Sequence, residues 1–307
     1  MENGKIMEYD KINGKVGFRE SDHCYENLED SSIKYTSVTT LIGKYENEFD
    51  KEWVSKYKAL ERLVPSDEWK KEKGSIWKNH KIPNEYLEVK GITEEELNKT
   101  QQDILDEWAA INKEACERGT KIHAELENSF YAGRNNVSLQ KFGIGGKFTC
   151  KKDYNELNLE YGVYPEYLIY YDNPKIGLHI AGQIDLLIKD GNDIIIGDHK
   201  TNKKLDFKGF YNSATRTTTK MKYPLTSLDD VNFNHYQLQL STYAWMIQKL
   251  NPDFNIKRLF INHYDHEGNN NIYEVQYLKD EVEKMLKHFA KQQKLEAQKK
   301  KYERIIY

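Results

Sequence analysis

Ile180-Ala181-Gly182-Gln183-Ile184-Asp185-Leu186-Leu187-Ile188-Lys189-Asp190-Gly191-Asn192-Asp193-Ile194-Ile195-Ile196-Gly197-Asp198-His199-Lys200 is the stretch that decides the fold. Two apolar runs rich in β-branched residues flank Asp190-Gly191-Asn192-Asp193, whose Asp-Gly and Gly-Asn pairs suit a tight hairpin turn. Successive side chains on a strand point to opposite faces. Ile180, Gly182, Ile184, Leu186 and Ile188 are thereby expected on one apolar face, and Asp185 on the other with Gln183. In the second strand Asp198 and Lys200 share a face with Ile194 and Ile196, and His199 points away. A two-residue loop at Gly191-Asn192 sets Asp185 opposite Asp198, whereas a loop at Asp190-Gly191 makes them diagonal neighbours. In both registers the two carboxylates lie on one face with β-carbons roughly 4.5–8 Å apart.

Outward from the hairpin, a third strand precedes it over 163–171, and the first hairpin strand extends over 177–189. An irregular stretch follows over 201–232, then a helix over 234–250, strands near 256–264 and 271–277, and a charged helix from 278. Upstream, 15–45 reads as short strands and a turn leading to a helix capped by Ser37 or Thr36, and 50–64 as a helix. Two further helices are expected over 93–131, the first opened by the capping box Thr93-Glu94-Glu95-Glu96. Residues 65–92 carry no assignable pattern. The fold class is α/β (α+β), with a mostly helical extension over 1–92 and a core over 93–307.

Two carboxylates opposed across a hairpin repel each other unless a cation or proton intervenes. A hard divalent cation, Mg²⁺ or Mn²⁺, takes carboxylate and carbonyl oxygens and keeps waters, which suits phosphate chemistry. Lys200 beside it would orient or help deprotonate an attacking water. Taken singly, Asp185, Asp198 and Lys200 are as readily solvated surface charges. Their convergence among Ile, Leu and Gly favours the metal site.

The 307-residue chain is 38% hydrophobic, enough for a sizeable core, and contains no run long and apolar enough for a membrane span and no signal-like start. Cys24, Cys116 and Cys150 are far apart and lack CxxC spacing, so neither a disulfide framework nor an iron–sulfur cluster is expected, and the compartment is read as cytoplasmic. The net charge of −3 confines any nucleic-acid binding to a local patch. Gly143-Ile144-Gly145-Gly146-Lys147 lacks the spacing and final hydroxyl of a phosphate-binding loop, so no ATP is expected.

Gly182-Gln183-Ile184-Asp185 and Asp198-His199-Lys200-Thr201, with Gly119-Thr120-Lys121-Ile122-His123 and Glu127 upstream and Gln239-Leu240-Ser241-Thr242-Tyr243 downstream, resemble the PD-(D/E)XK nuclease superfamily in its RecB-like and lambda-exonuclease-like branch. The resemblance spans about 119–250. It implies a restriction-endonuclease-like αβββαβ core, with the metal held by Asp185, Asp198 and the carbonyl of His199, and with His123 at or near it. Glu166 matches an acidic position on the first core strand. Asp22-His23-Cys24-Tyr25 and Tyr35-Thr36-Ser37-Val38-Thr39-Thr40 are similar to the start of phage-encoded nucleases. Ile184 stands where the family name has proline, and Asp198 where glutamate is more frequent. The implied activity is metal-dependent DNA hydrolysis, most readily by an exonuclease in phage recombination, repair or genome processing. The alternatives are a structure-selective or restriction-like endonuclease, or a non-catalytic DNA-binding protein on the same fold. A homo-oligomer and a single-strand annealing partner are the associations the resemblance leaves open.

Among the supporting residues, His123 and Glu127 lie one turn apart on a helix face, where an ordinary surface pair is the alternative. Gln239 and Tyr243 would hold the phosphate backbone or Lys200, against simple packing on the sheet. Lys203, Lys204, Lys208, Arg216, Lys220 and Lys222, interleaved with Phe207, Phe210, Tyr211 and Tyr223, suit a loop that neutralises phosphates and stacks on unpaired bases, against a solvated linker. Lys299, Lys300 and Lys301 read as a solvated helix face.

Overall fold

The computed structural model describes residues 9–83, 85–133, 136–152, 159–212 and 216–306. Its elements run β1 (Lys11–Asn13), β2 (Val16–Arg19), β3 (Cys24–Asn27), β4 (Lys34–Ser37), α1 (Val38–Gly43), α2 (Lys51–Leu63), α3 (Ser66–Asn79), α4 (Tyr86–Lys90) and α5 (Glu94–Ala132). There follow β5 (Val137–Ser138), β6 (Lys147–Phe148), β7 (Gly162–Asn173), β8 (Leu178–Asp190), β9 (Asp193–Lys200), β10 (Tyr211–Asn212), β11 (Thr217–Thr218), α6 (Asn232–Leu250), β12 (Asn255–Tyr264), β13 (Asn270–Glu274) and α7 (Lys279–Ile306). The class is mixed α/β, consistent with a restriction-endonuclease-like fold.

Two compact units share the chain: Met1–Asn47 with Lys121–Tyr307, and Glu48–Thr120. The division expected at 92/93 is corrected accordingly. Residues 11–37 are strands of the main sheet, and the parallel pairing of β4 with β8, Thr36 opposite Ile180, joins segments too far apart in sequence for local pattern to reveal. The helical unit Glu48–Thr120 packs Trp53, Leu60, Trp69, Ile76, Leu97 and Ile104 into its own core. Asp50 caps α2 by accepting from Trp53 N–H, and Thr93 with Glu96 closes the reciprocal capping box that opens α5.

Where two helices were expected over 93–131 there is one, α5. Gly119 inside it costs a helix only about 0.5–1 kcal/mol relative to alanine, too little to end one.

In the larger unit the sheet runs β1-β2-β3-β4-β8-β9-β12-β13, with β7 also paired to β8. β9, α6 and β12 form a parallel βαβ crossover, and every other neighbour pair except β4/β8 is antiparallel. One face is covered by α1, α6 and α7 through Leu41, Leu238, Ile247, Met285 and Leu286. Opposite it, Phe130, Leu139, Phe142 and Phe148 pack on Val163, Leu186, Ile195 and Phe260. Ser37, one of the two expected caps, accepts from Thr40 N–H at the start of α1.

Candidate active site

The hairpin has the register that Gly191-Asn192 dictates: Asp190 pairs with Asp193, Ile188 with Ile195, and Leu186 with Gly197. The ladder stops one step before Asp185 and Asp198. β8 is shared on that edge by two partners, with β4 at Ile180 and Ala181 and β9 from Leu186 onward, while β7 follows its other edge. The sheet therefore forks along β8. Between the prongs a side chain does the ladder's work, the Asp185 carboxylate accepting the His199 backbone N–H at 2.7 Å.

At the fork both β7 and β8 change which face they present. Ile180 and Ile184 pack in the helix-covered core, yet Leu186 and Ile188 pack in the opposite one. The expectation of a single apolar face along 180–188 is corrected to this switch. In β7 the same change falls between Tyr164 and Tyr167, and Glu166 between them has φ 49°, a left-handed conformation that non-glycine residues rarely adopt. Such strain persists only where surroundings impose it, and it collects at functional sites. Here it turns Glu166 toward Asp185.

Three donor groups meet there. His123 on α5, Glu166 on β7 and Asp185 on β8 each offer a ligand atom within 4.8 Å of the others. His123 Nδ1 lies 3.4 Å from Glu166 Oε1 and 3.7 Å from Asp185 Oδ2, and its Nε2 is 3.0 Å from the carbonyl oxygen of His199. Burial opposes a charge on His123, but the carboxylates of Asp185 and Glu166 outweigh it and raise the imidazole to about 9. Burial pushes the Asp185 carboxyl up, and the Glu166 charge adds to this. A pocket that draws a proton this strongly accommodates a cation. Two carboxylates, an imidazole and a carbonyl oxygen are a donor set that fits Mg²⁺ or Mn²⁺.

Asp198 and Lys200 form the second half of the site. Lys200 Nζ is 2.8 Å from Asp198 Oδ2, donates to Gln239 Oε1 at 3.2 Å, and lies 4.6 Å from the Tyr236 ring centroid. Gln239 Nε2 donates to Asp198 Oδ1 at 3.2 Å and to Tyr243 Oη at 3.4 Å. Burial lifts the Asp198 carboxyl to about 6 against the pull of Lys200. Burial would discharge Lys200, yet Asp198 and Asp185 outweigh it and hold the amine above its ordinary value. Tyr243 packs on Gly182, where a β-carbon would come within 2.7 Å of its ring.

Of the expected ligands, His123, Asp185 and the His199 carbonyl converge with Glu166, while Asp198 is engaged by Lys200 and Gln239. The His199 ring turns away into the opposite core, 2.9 Å from Asn262 Nδ2, and burial depresses it to about 3, a neutral imidazole. Glu127 faces Lys11 at 3.5 Å and is not among the three. Sequence reasoning missed Tyr236 and Lys11. Tyr236 could have been found from its place one turn before Gln239; Lys11, on a three-residue strand, carries no such signal.

A model of the PD-(D/E)XK nuclease superfamily matches residues 59–305. The chain belongs to that superfamily. Comparison with curated proteins gives no match. Membership makes the chain a nuclease of a metal-dependent hydrolase family. Among the described residues no helix of this nuclease is long and apolar enough to cross a membrane.

The segment after the nuclease motif is less irregular than expected, since β10 and β11 pair in a short ribbon. Phe207, Phe210, Tyr211 and Tyr223 are exposed, and the Phe207 ring lies tilted against Phe233 at 4.7 Å. Lys203, Lys208 and Arg216 are exposed; Lys204 pairs with Asp206 at 2.8 Å and Lys220 with Asp229 at 2.6 Å, so these two cations are locally balanced. Lys222 is half-buried, its N–H donating to Tyr45 O. Lys299 on α7 is exposed; the side chains of Lys300 and Lys301 lie outside the described residues.

Asp229 anchors this segment by accepting from Lys220, Thr218 and the Gly209 N–H, which together hold its carboxyl down at about 2. A carboxyl depressed in the folded state stabilises above its unfolded value near 4 and loses that contribution as pH falls toward 2. Hydrogen-exchange protection at 209–212 and 216–220, taken relative to each amide's intrinsic rate at the same pH, is expected to fall over that interval in the wild type. In Asp229→Asn that protection should already be low at neutral pH, with little further change on acidification.

Proposed function

We propose that this nuclease hydrolyses phosphodiester bonds in DNA with Mg²⁺ or Mn²⁺ as cofactor, and that it acts as an exonuclease. The observation that carries the reading is the convergence of His123, Glu166, Asp185 and the His199 carbonyl beside a buried, charged Lys200. A divalent cation held by those donors would polarise the scissile phosphate and acidify a bound water.

The chain's own groups do the rest. Asp198 and Asp185 hold the Lys200 amine above its ordinary value, which favours it as a donor to a phosphate oxygen or the attacking water. Asp198, Gln239 and Tyr236 fix its amine, and Tyr243 in turn steadies Gln239. Asp185 ties the metal-facing strand to the His199 backbone, so that the carbonyl of the same residue stays aimed at the cluster.

The exonuclease reading is supported by the GxxxH and QLxxY segments, which resemble the RecB-like and lambda-exonuclease-like branch, and the opening segment supports a phage origin with a role in recombination, repair or genome processing. A cytoplasmic setting, self-association and a single-strand annealing partner belong to the same proposal. Incubation of end-labelled linear duplex and covalently closed circular DNA with Mg²⁺ tests it. Loss of the linear substrate alone is expected. Cleavage of the closed circle would replace the exonuclease by an endonuclease, and inertness toward both would leave a DNA-binding protein on a nuclease fold.

Lys203 and Lys208 are exposed cations of the 201–232 segment that follows the hairpin. Replacing both with alanine should weaken DNA binding and lower the salt slope by about one to two phosphate contacts. An unchanged slope of log K against log salt would mean that these lysines touch no phosphate.

A further inference from the structure

Beside the metal-ligating cluster lies a cleft of ≈ 350 Å³ that shares Glu166 with it and is lined by Lys11, Lys152, Tyr131, Glu127 and Asp10. His123, Glu127 and Tyr131 recur at four-residue spacing, so one face of α5 leads from the cluster into this cleft. Lys11 Nζ reaches Glu127 at 3.5 Å and donates to the Glu166 carbonyl at 3.4 Å. Lys152 Nζ sits 5.7 Å from the Tyr131 ring centroid. Ile12 and Pro165 add apolar wall. The volume is at the small end of ligand clefts, which run from about 300 Å³ upward. An aromatic face with flanking amines is how proteins hold a nucleotide of an unpaired strand, through base stacking and phosphate pairing.

The charge of this cleft is its distinctive property. Two lysines face the three carboxylates of Asp10, Glu127 and Glu166, a formal balance of −1 that repels a phosphodiester. A divalent cation at Glu166 makes the same lining less negative.

We propose that this cleft seats the nucleotide adjoining the bond to be cut, and that it accepts the strand only once a divalent cation is bound beside it. The inference rests on the nuclease reading above and adds where the substrate lies and what admits it. Metal and strand are then thermodynamically coupled, each tightening the other by the same factor.

The test is fluorescence anisotropy of a labelled single-stranded oligodeoxynucleotide on the full chain, in Ca²⁺ and in EDTA, so that binding is read without turnover. The wild type is expected to bind at least about fivefold more tightly in Ca²⁺, the lower end of ordinary coupling between sites. Lys152→Ala, a change at an exposed position, should lose most of that gain while its thermal midpoint stays put. Glu127→Gln should do the opposite, tightening binding in EDTA and narrowing the ratio between the two conditions. Equal affinity of the wild type in Ca²⁺ and EDTA, or two variants indistinguishable from it, would overturn the proposal. A chain that digests DNA yet shows either of those results loses only this cleft, whereas one that neither binds nor digests DNA removes the nuclease reading itself.

Discussion

Asp185→Asn is expected to abolish hydrolysis while leaving the metal-free protein at least as stable as the wild type. The asparagine side-chain oxygen still accepts the His199 N–H that Asp185 takes at 2.7 Å, so the backbone at the fork keeps its partner. What disappears is a carboxylate that burial and the Glu166 charge both disfavour. Removing it relieves repulsion in the folded state and deletes one of the proposed metal ligands at the same stroke, the usual trade between stability and activity at a site. Lys200→Ala should lower kcat by about 10²–10³-fold, the effect of losing one preorganised donor to transition-state charge. Its stability should fall instead, because Asp198, buried, is left without the amine 2.8 Å away. Single-turnover rates at saturating Mg²⁺ and thermal midpoints in EDTA measure both quantities. Wild-type rates in both variants would remove these residues from the chemistry.

Gly197→Ala carries the largest expected cost in stability. A β-carbon built there falls against Phe260 Cζ and within 2.8 Å and 3.0 Å of the neighbouring ring atoms. Phe260 is fully buried, with the Arg258 guanidinium 4.7 Å from its centroid and Phe142 at 5.5 Å, so the ring has nowhere to retreat. Overpacking of this kind costs about 1–3 kcal/mol, and each kcal/mol lowers the midpoint of a large domain by roughly 2–4 °C. Activity should decline with it, since the strained residue precedes Asp198. Gly191→Ala is the control: its φ of +61° penalises any side chain, but nothing lies within 4 Å of the added carbon. A cost no greater than about 1–2 kcal/mol is expected there. Should both alanines cost the same, backbone conformation rather than the Phe260 contact would govern the loss at Gly197.

While the choice between its two registers is made only by the observed pairing of Asp190 with Asp193, the hairpin itself is legible in the sequence because strand alternation and the Asp-Gly and Gly-Asn pairs mark it by local chemistry. Asp198 and Lys200 share a face for the same reason, and the helical period places Gln239 and Tyr243 one turn apart. The face switch at Glu166 and Asp185 is not legible. Positive φ is usually announced by glycine or asparagine, and here a glutamate is held at 49° by tertiary packing, which no window of sequence reports. The attachment of β4 to β8 is hidden likewise, being two residue pairs between segments separated by the whole helical unit. Tyr131 lay open to the same periodicity that links His123 to Glu127, but only the cleft gives that spacing a meaning.

Because a carboxylate replaces a backbone rung where β8 parts from β9, the acid at 185 answers to two demands, one architectural and one chemical. Alanine there would strand the His199 amide and let its carbonyl drift, so a loss of function in that variant would conflate a misaimed oxygen with a missing charge. Only side chains that still offer an oxygen at this junction separate the two, and the pair Asp185→Asn and Asp185→Ala therefore measures how far the aim of a peptide group contributes to a metal site.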